Sequence, residues 1–323
     1  MRHGRLMPSV AQVAYDGLVR LAGVRSPRAG AVWERVWDLA WRRLSGPVHT
    51  TIHGRDVVVN AGYSYPAFYR RWPTYNDPLV ELVYQANASK GSPVTLVDVG
   101  AAVGDTVLLV MERCRGKVGV VHCVEGDAEF FGYLQRNLSG LPSVRLHQAL
   151  LSDVDGDIAG LVRVHKGTAS AQGAERATAT TLDSVLAVDG GPPVDVLKID
   201  TDGFDGKILA GAGRLLARDH PAVIFEWAPR VYDATGQDRY RPFEVVADAG
   251  YRWLVWFDKY GKFSHVDDGY RRGPVEVLAE LCVSDRAPGP DWHYDVVALP
   301  EGSAIEPTEM AALSYARSSR AIR

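Results

Sequence analysis

The stretch Leu96-Val-Asp98-Val-Gly100-Ala101-Ala102-Val-Gly104-Asp105-Thr106 constrains this chain more than any other, because it reads as a buried strand passing through a tight glycine turn into a helix. A strand that hands over to a helix begins a βαβ crossover, and crossovers of one hand build a parallel sheet covered on both faces. From Val94 onward that pattern repeats. Strands are predicted at Val94 to Val99, Val118 to Val124, Val144 to Leu150, Val194 to Ile199, Ala222 to Glu226, Arg252 to Phe257 and Asp295 to Leu299. Helices are predicted at Asp105 to Arg113, Ala128 to Asn137, Leu182 to Ala187, Lys207 to Ala217 and Phe243 to Ala249. In such a sheet ligands dock at the carboxyl ends of the strands, so the ends of the first four converge on one crevice.

Two acids qualify the turn. Asp98 lies within the strand, two residues before the first glycine, and Glu125 closes the next apolar strand, Val118-Gly-Val-Val-His122-Cys123-Val124. A dinucleotide's pyrophosphate asks for bare backbone N–H donors at a helix start. S-adenosylmethionine has no phosphate and carries an ammonium and a sulfonium, so a carboxylate that would repel pyrophosphate attracts it. Asp98, Gly100, Ala101, Gly104, Asp105 and Thr106 are therefore the predicted cofactor contacts at the turn, and Glu125 is predicted to hold the ribose hydroxyls. At the end of the third strand, Gln148 or Asp153 can meet the adenine edge, with Ala149 offering backbone and apolar surface.

The fourth strand, Val194-Asp-Val-Leu-Lys198-Ile199-Asp200, runs into Thr201-Asp202-Gly203-Phe204-Asp205, and alternation puts Lys198 and Asp200 on one side. Asp200 can hold the cofactor ammonium or a substrate hydroxyl, and Lys198 can orient Asp200 or act in proton transfer. Asp202 and Asp205 read as caps of the following helix. Glu226 ends the next strand, where it can bind a polyol, serve as general base, or pair with Arg230. Asp200, Asp202, Asp205 and Glu226 are oxygen ligands of the kind that suit Mg²⁺ or Ca²⁺. The turn at Gly203 swings two of them away and the spacing matches no EF-hand loop, so no metal is expected. His49 and His53 fall on a hairpin rather than a helix, which argues against zinc, and His265, in a predicted late loop from Asp258, is a minor candidate base.

Upstream, Ser9 to Leu44 reads as two helices broken around Ser26-Pro27. The second aligns Trp33, Trp37 and Trp41 on one stripe, predicted to pack on the main domain or across a homodimer rather than on a membrane. Thr50 to Asn60 reads as a hairpin turning at Gly54. Gly62 to Asp77 is dense in aromatics and arginines, and is either a lid over the ligand or a packed surface wrap. The domain boundaries predicted are 1–76 for this extension, 77–300 for the sheet domain and 301–323 for a tail.

A net charge of −3 over 323 residues supplies no basic footprint for nucleic acid. Three scattered cysteines, no apolar signal core and no apolar run of about 18 residues predict a cytoplasmic chain without a membrane span.

The ordered series of Asp98-Val-Gly100-Ala101 with Gly104, Glu125 before a helix reaching Leu134 and Asn137, Ala149-Leu-Leu-Ser152-Asp153, Thr181-Leu182-Asp183, Leu197-Lys198-Ile199-Asp200-Thr-Asp202-Gly203-Phe-Asp205, Glu226 and Gly250-Tyr251 resembles the FkbM-type S-adenosylmethionine-dependent methyltransferases. The resemblance spans about Asp77 to Pro300. It implies a class I methyltransferase fold: a Rossmann-like α/β, mostly parallel sheet of seven strands, the last antiparallel, with helices on both faces. It also implies S-adenosyl-L-methionine as cofactor and O-methylation of a small hydroxylated acceptor, a sugar or secondary metabolite. Within that frame Asp200, Glu226 and Lys198 are the candidate catalytic residues. Two departures stand out: Ala102 replaces the family's usual Asn, and Asp202 and Asp205 stand where Glu is usual. The competing readings are a catalytically silent methyltransferase-like binding module and an NAD-dependent oxidoreductase, the second opposed by the carboxylates Asp98 and Asp105.

Overall fold

The computed structural model describes residues 9–24, 43–159, 162–165, 168–170, 176–187, 191–289 and 291–311. The predicted tryptophan stripe of Trp33, Trp37 and Trp41 lies outside them. Ser9 caps the first helix, Val10–Ala22 (α1), by accepting the Gln12 N–H at 3.1 Å. Pro47–Ile52 (β1) and Arg55–Asn60 (β2) form the predicted hairpin, turning through His53 and Gly54 with φ of 47° and 74°. Two positive φ values in succession match the right-handed twist of the paired strands. Helices Tyr65–Arg71 (α2) and Asp77–Lys90 (α3) then lead into the sheet.

The chain continues Val94–Val99 (β3), Asp105–Arg113 (α4), Val118–Glu125 (β4), Ala128–Leu138 (α5) and Val144–Gln148 (β5). Short strands follow at Gly156–Ala159 (β6), Val162–His165 (β7), Thr168–Ser170 (β8) and Arg176–Ala179 (β9), then Leu182–Val185 (α6). The second half holds Val196–Ile199 (β10), Asp205–Ala210 (α7), Gly213–Asp219 (α8), Ala222–Trp227 (β11), Pro229–Thr235 (α9) and Arg241–Asp248 (α10). Tyr251–Asp258 (β12), Phe263–Asp268 (β13), Arg272–Val283 (α11) and Tyr294–Pro300 (β14) complete it.

The main sheet runs β13-β12-β14-β11-β10-β3-β4-β5. The strands from β11 to β5 are mutually parallel, and β14 lies antiparallel between β11 and β12. All seven predicted sheet strands are present. The sheet nonetheless has eight strands rather than seven, because Phe263–Asp268, placed by sequence in a late loop, turns back at Gly261 and pairs with β12. That edge strand is half exposed and mostly polar, so it lacks the apolar run that marks its neighbours. The predicted helix Lys207 to Ala217 divides into α7 and α8 at Gly211, where a Cβ would come within 2.2 Å of the Ser152 carbonyl oxygen. Helix α3 carries no amphipathic stripe to read, since Asp77 to Val83 is buried throughout.

Chain order reverses between β3 and β10, and a crevice opens outside the carboxyl ends of strands at such a switch point. Strand alternation sends Leu96, Val196, Ile224 and Val297 into one core layer, which Tyr15, Val48, Val59 and Leu79 complete. Val97, Leu197, Phe225 and Trp256 enter the other with Phe243. The N-terminal segments thus cover the same sheet face on which the charged residues discussed below reside. Asn137 of α5 ties them down: its amide nitrogen donates to the carbonyls of Val58 and Val103, each at 3.0 Å, and its oxygen accepts the Val58 N–H at 2.9 Å. Replacing Asn137 by Ala leaves these buried groups unpaired, and should lower the unfolding free energy by about 1–3 kcal/mol, read from the urea midpoint at unchanged slope. An unshifted midpoint would show that the hairpin is held by packing alone.

Candidate active site

Lys198 and Asp98 are register partners across β10 and β3, so their side chains emerge on the same side and meet with Nζ 3.0 Å from Oδ1. Asp200 approaches the same ammonium at 3.3 Å. Burial pulls the Lys198 pKa down, but Asp98 and Asp200 outweigh it and hold the group charged, well above its ordinary range. Lys198 is thereby held as a cation between Asp98 and Asp200. Burial raises the Asp98 pKa against the lowering pull of Lys198. Asp98 is fully buried beneath the turn and is not among the residues that line the cavity above it.

Gly100 has φ of 78°, and a Cβ there would lie 1.9 Å from the Asp200 carbonyl oxygen. Only glycine lets the turn after β3 come this close to the end of β10. Ala102 adopts φ of 44°, a left-handed conformation that costs a non-glycine residue about 1–2 kcal/mol and that Asn tolerates better. Its N–H donates to Glu125 Oε2 at 2.9 Å, while Glu125 Oε1 accepts the Asp127 N–H at 2.8 Å. Both oxygens of Glu125 therefore brace backbone, and burial pushes its pKa up to about 7. Ala101 is buried, and Gly104 precedes α4 at φ of 91°.

Above the strand ends lies a cavity of about 490 Å³. Gly100, Ala102, Asp105 and Thr106 line its floor, with Asp200 and Asp202 from the end of β10 and Glu226 from β11. Tyr63, Tyr65, Phe68 and Tyr75 roof it. The aromatic segment is both lining and packed: Phe68 touches Trp72 and Tyr75 at ring separations of 4.5 and 4.8 Å, and Trp72 stacks on Tyr260 at 5.0 Å. The Thr74 hydroxyl donates to the Tyr260 carbonyl at 2.7 Å, anchoring the roof to the β12–β13 turn. The Tyr63 hydroxyl donates to Asp105 Oδ1 at 2.7 Å, and burial raises Asp105 to about 6 against that bond.

The far wall holds two cations with partners of their own. Arg230 donates to the carbonyls of Cys282, Val283 and Ser284 at the end of α11, and Lys259 pairs with Asp291. Arg230 is therefore not the partner of Glu226, whose carboxylate instead faces His293 Nε2 at 3.4 Å. Glu226 is the register partner of Asp295 across β11 and β14. Burial, and then the charge of Asp200, raise the pKa of both carboxyls well above the ordinary range. Asp205 is fully buried, and burial followed by the charge of Asp200 pushes its pKa up to about 7.

Gln148, Ala149 and Asp153 do not line this cavity. They sit at the end of β5, joined to the end of β4 where the Ala149 N–H donates to the Glu125 carbonyl at 3.2 Å. His265 lies on β13, stacked on Trp256 at 5.2 Å, and is no candidate base at the cavity. His293, Asp295 and Lys259 escaped the sequence reading. The spacing His293-Tyr-Asp295 at the entry to the last predicted strand, which puts both on one side, was the available signal.

Residues 98–262 match the family profile described as a methyltransferase FkbM domain. No curated protein matches the sequence. Similar solved structures include methyltransferase FkbM from Methylobacillus flagellatus KT, at 14% identity and a TM-score of 0.36, covering 64% of this chain and 43% of that one. Precorrin-6y C5,15-methyltransferase from Geobacter metallireducens GS-15 overlaps at 13% identity and a TM-score of 0.35, covering 69% of this chain and 87% of that one. The fibrillarin pre-rRNA processing protein of Methanococcus jannaschii overlaps at 12% identity and 0.38, covering 65% and 68%. The chain thus spans less than half the length of the first.

Asp205 gives the site a pH signature. Its folded pKa of about 7 lies above the ordinary aspartate value of 3.8, so the folded protein keeps a proton that the unfolded chain releases. The stability this proton confers is complete below about pH 4 and is lost as pH rises through about 7. The stability of the wild type relative to Asp205→Asn should therefore fall between those limits, measured by urea unfolding at a series of pH values. A difference that is flat in pH would contradict the assignment.

Proposed function

The chain belongs to the FkbM methyltransferase family, and on that premise we propose that it transfers the methyl group of S-adenosyl-L-methionine to a hydroxyl of a small acceptor, a sugar or secondary metabolite. The observation that carries this reading is that the glycine turn at Gly100 and the carboxylates Asp200 and Glu226 line one cavity of about 490 Å³. That volume suits a nucleoside-sized ligand with part of an acceptor. No helix among the described residues is long and apolar enough to cross a membrane.

The donor set fits a cationic cofactor. Asp105, Asp200 and Asp202 supply negative charge around the turn, whereas the lining cations Arg230 and Lys259 stand on the far wall, bonded to the carbonyls at the end of α11 and to Asp291. When bound, S-adenosyl-L-methionine supplies a methyl group activated by the attached sulfonium. The chain's own task is alignment, since holding acceptor and donor in line can contribute on the order of 7–11 kcal/mol. Lys198 fixes the Asp200 carboxylate at the strand end, where it accepts the proton of the acceptor hydroxyl. The aromatic side chains of the roof line the cavity where an acceptor would stack.

Incubation with S-adenosyl-L-methionine and a panel of hydroxylated sugars and metabolites should yield a product heavier by one methyl group in the mass spectrum. Asp200→Asn should slow that turnover by about 10²-fold or more. Cofactor binding in calorimetry without methylation of any acceptor would instead favour the silent binding module.

A further inference from the structure

We propose that Glu226, His293 and Asp295 form a divalent-cation site of first-row transition-metal type, of which Mn²⁺ is a suitable probe, on the wall of the methyl-transfer cavity. One ligand atom from each of the three residues lies within 4.8 Å of the other two. Glu226 and His293 line the cavity itself, and Asp295 lies one layer beneath, beside a void of about 20 Å³ that Lys198, Asp200 and Glu226 also border.

Two features ask for a cation here. The first is the carboxylate pair. Glu226 and Asp295 stand directly opposite each other across an antiparallel ladder, an arrangement that destabilises like charges. Asp98 and Asp200 lie close by, and Lys198 is the ammonium that both of them share. Buried carboxylates in such numbers need a proton or a metal to compensate them.

The second feature is His293. Its Nδ1 lies 3.0 Å from the Asp291 carbonyl oxygen, an acceptor only, so Nδ1 carries the ring proton. That leaves Nε2 as a bare lone pair. Nε2 is fully buried, makes no hydrogen bond, and faces the Glu226 oxygen at 3.4 Å. A lone pair directed at an ionised carboxylate is repulsive unless a proton or a metal cation lies between them. An imidazole whose far nitrogen is pinned to a backbone carbonyl is also the usual posture of a metal-bound histidine. One nitrogen with two carboxylates suits Mn²⁺, Fe²⁺ or Zn²⁺ better than an all-oxygen ion.

The site deepens the proposed reaction and rests on that reading for its chemical role. A cation here takes the acceptor's hydroxyl oxygen as a ligand and lowers its pKa. The acceptor O–H then gives its proton to Asp200, and the oxygen's electron pair forms the bond to the methyl carbon. The carbon–sulfur bond breaks with its pair remaining on sulfur, leaving a methyl ether, a neutral thioether and a protonated Asp200. Such a site selects acceptors that bear a second oxygen next to the methylated hydroxyl, such as vicinal diols and catechols, because both oxygens can bind one cation.

The test uses the full chain, stripped with chelator, desalted and titrated with Mn²⁺ while the free-ion signal is followed by electron paramagnetic resonance. The wild type should bind a single equivalent. His293→Gln and Asp295→Asn, checked for folding by circular dichroism, should each weaken binding by about 10-fold or more. His265→Ala, on the edge strand away from the cavity, should bind as the wild type does. Absence of Mn²⁺ binding by the wild type, or full binding by the two folded site variants, would overturn the proposal and leave the carboxyls sharing a proton. Titrating S-adenosyl-L-methionine into the same samples and assaying them for methylation separates the two readings: loss of the metal site leaves cofactor binding intact in the variants, whereas a metal-loaded wild type that methylates no acceptor fails the methyl-transfer reading alone.

Discussion

The buried ammonium of Lys198 between Asp98 and Asp200 is the interaction on which the rest of this structure depends. It bridges β10 and β3, the two strands between which chain order reverses, and so fixes the geometry of the crevice at its origin. A buried pair of this kind contributes little net stability when intact, since desolvation offsets the attraction. Removing one partner leaves an uncompensated charge at a cost of about 3–5 kcal/mol. The pair is thus a device of position more than of stability: it determines where the Asp200 carboxylate stands.

From that bridge the remaining features follow by proximity. Gly100 lacks a side chain because the Asp200 carbonyl occupies the space a Cβ would need. Glu125 pins the left-handed Ala102 from the neighbouring strand, and Tyr63 pins Asp105 from the roof. The N-terminal segments, although they precede the first strand of the main sheet, cover the sheet face that carries Asp98, Lys198, Glu226 and Asp295. A site so rich in buried carboxylates holds protons to unusually high pH, as Asp105, Glu125 and Asp205 all do. Such groups are what a cationic cofactor, and in our proposal a metal ion, would find on arrival.

How much of this was legible in sequence depended on how local the signal was. The strands around Asp98, Glu125 and Asp200 were readable because each is a short apolar run ending in an acid, and the Gly54 turn because a two-residue hairpin leaves a local mark. The partner of Asp98 was not readable, since Lys198 stands a hundred residues away and only strand pairing aligns them. The same holds for Glu226, predicted to choose between catalysis and Arg230. Its actual neighbours arrive on β14, which inserts antiparallel between β11 and β12 in a way no local pattern announces. The edge strand β13 and the helix α3 were hidden for opposite reasons, one too polar to read as a strand and the other too buried to show a stripe. Ala102 departs from the family's usual Asn, yet it adopts the left-handed backbone that Asn would favour; the hydrogen bond to Glu125 holds the turn.

The most direct test of the central claim is a calorimetric titration of S-adenosyl-L-methionine into the wild type and into Lys198→Met, each shown to be folded by circular dichroism. If the ammonium positions Asp200 and the turn beside it, the wild type binds and the variant loses affinity by about 10-fold or more, a difference of about 1.4 kcal/mol at the least. Equal affinity in a folded Lys198→Met protein would contradict the account and reduce the ion pair to a passive element of the core.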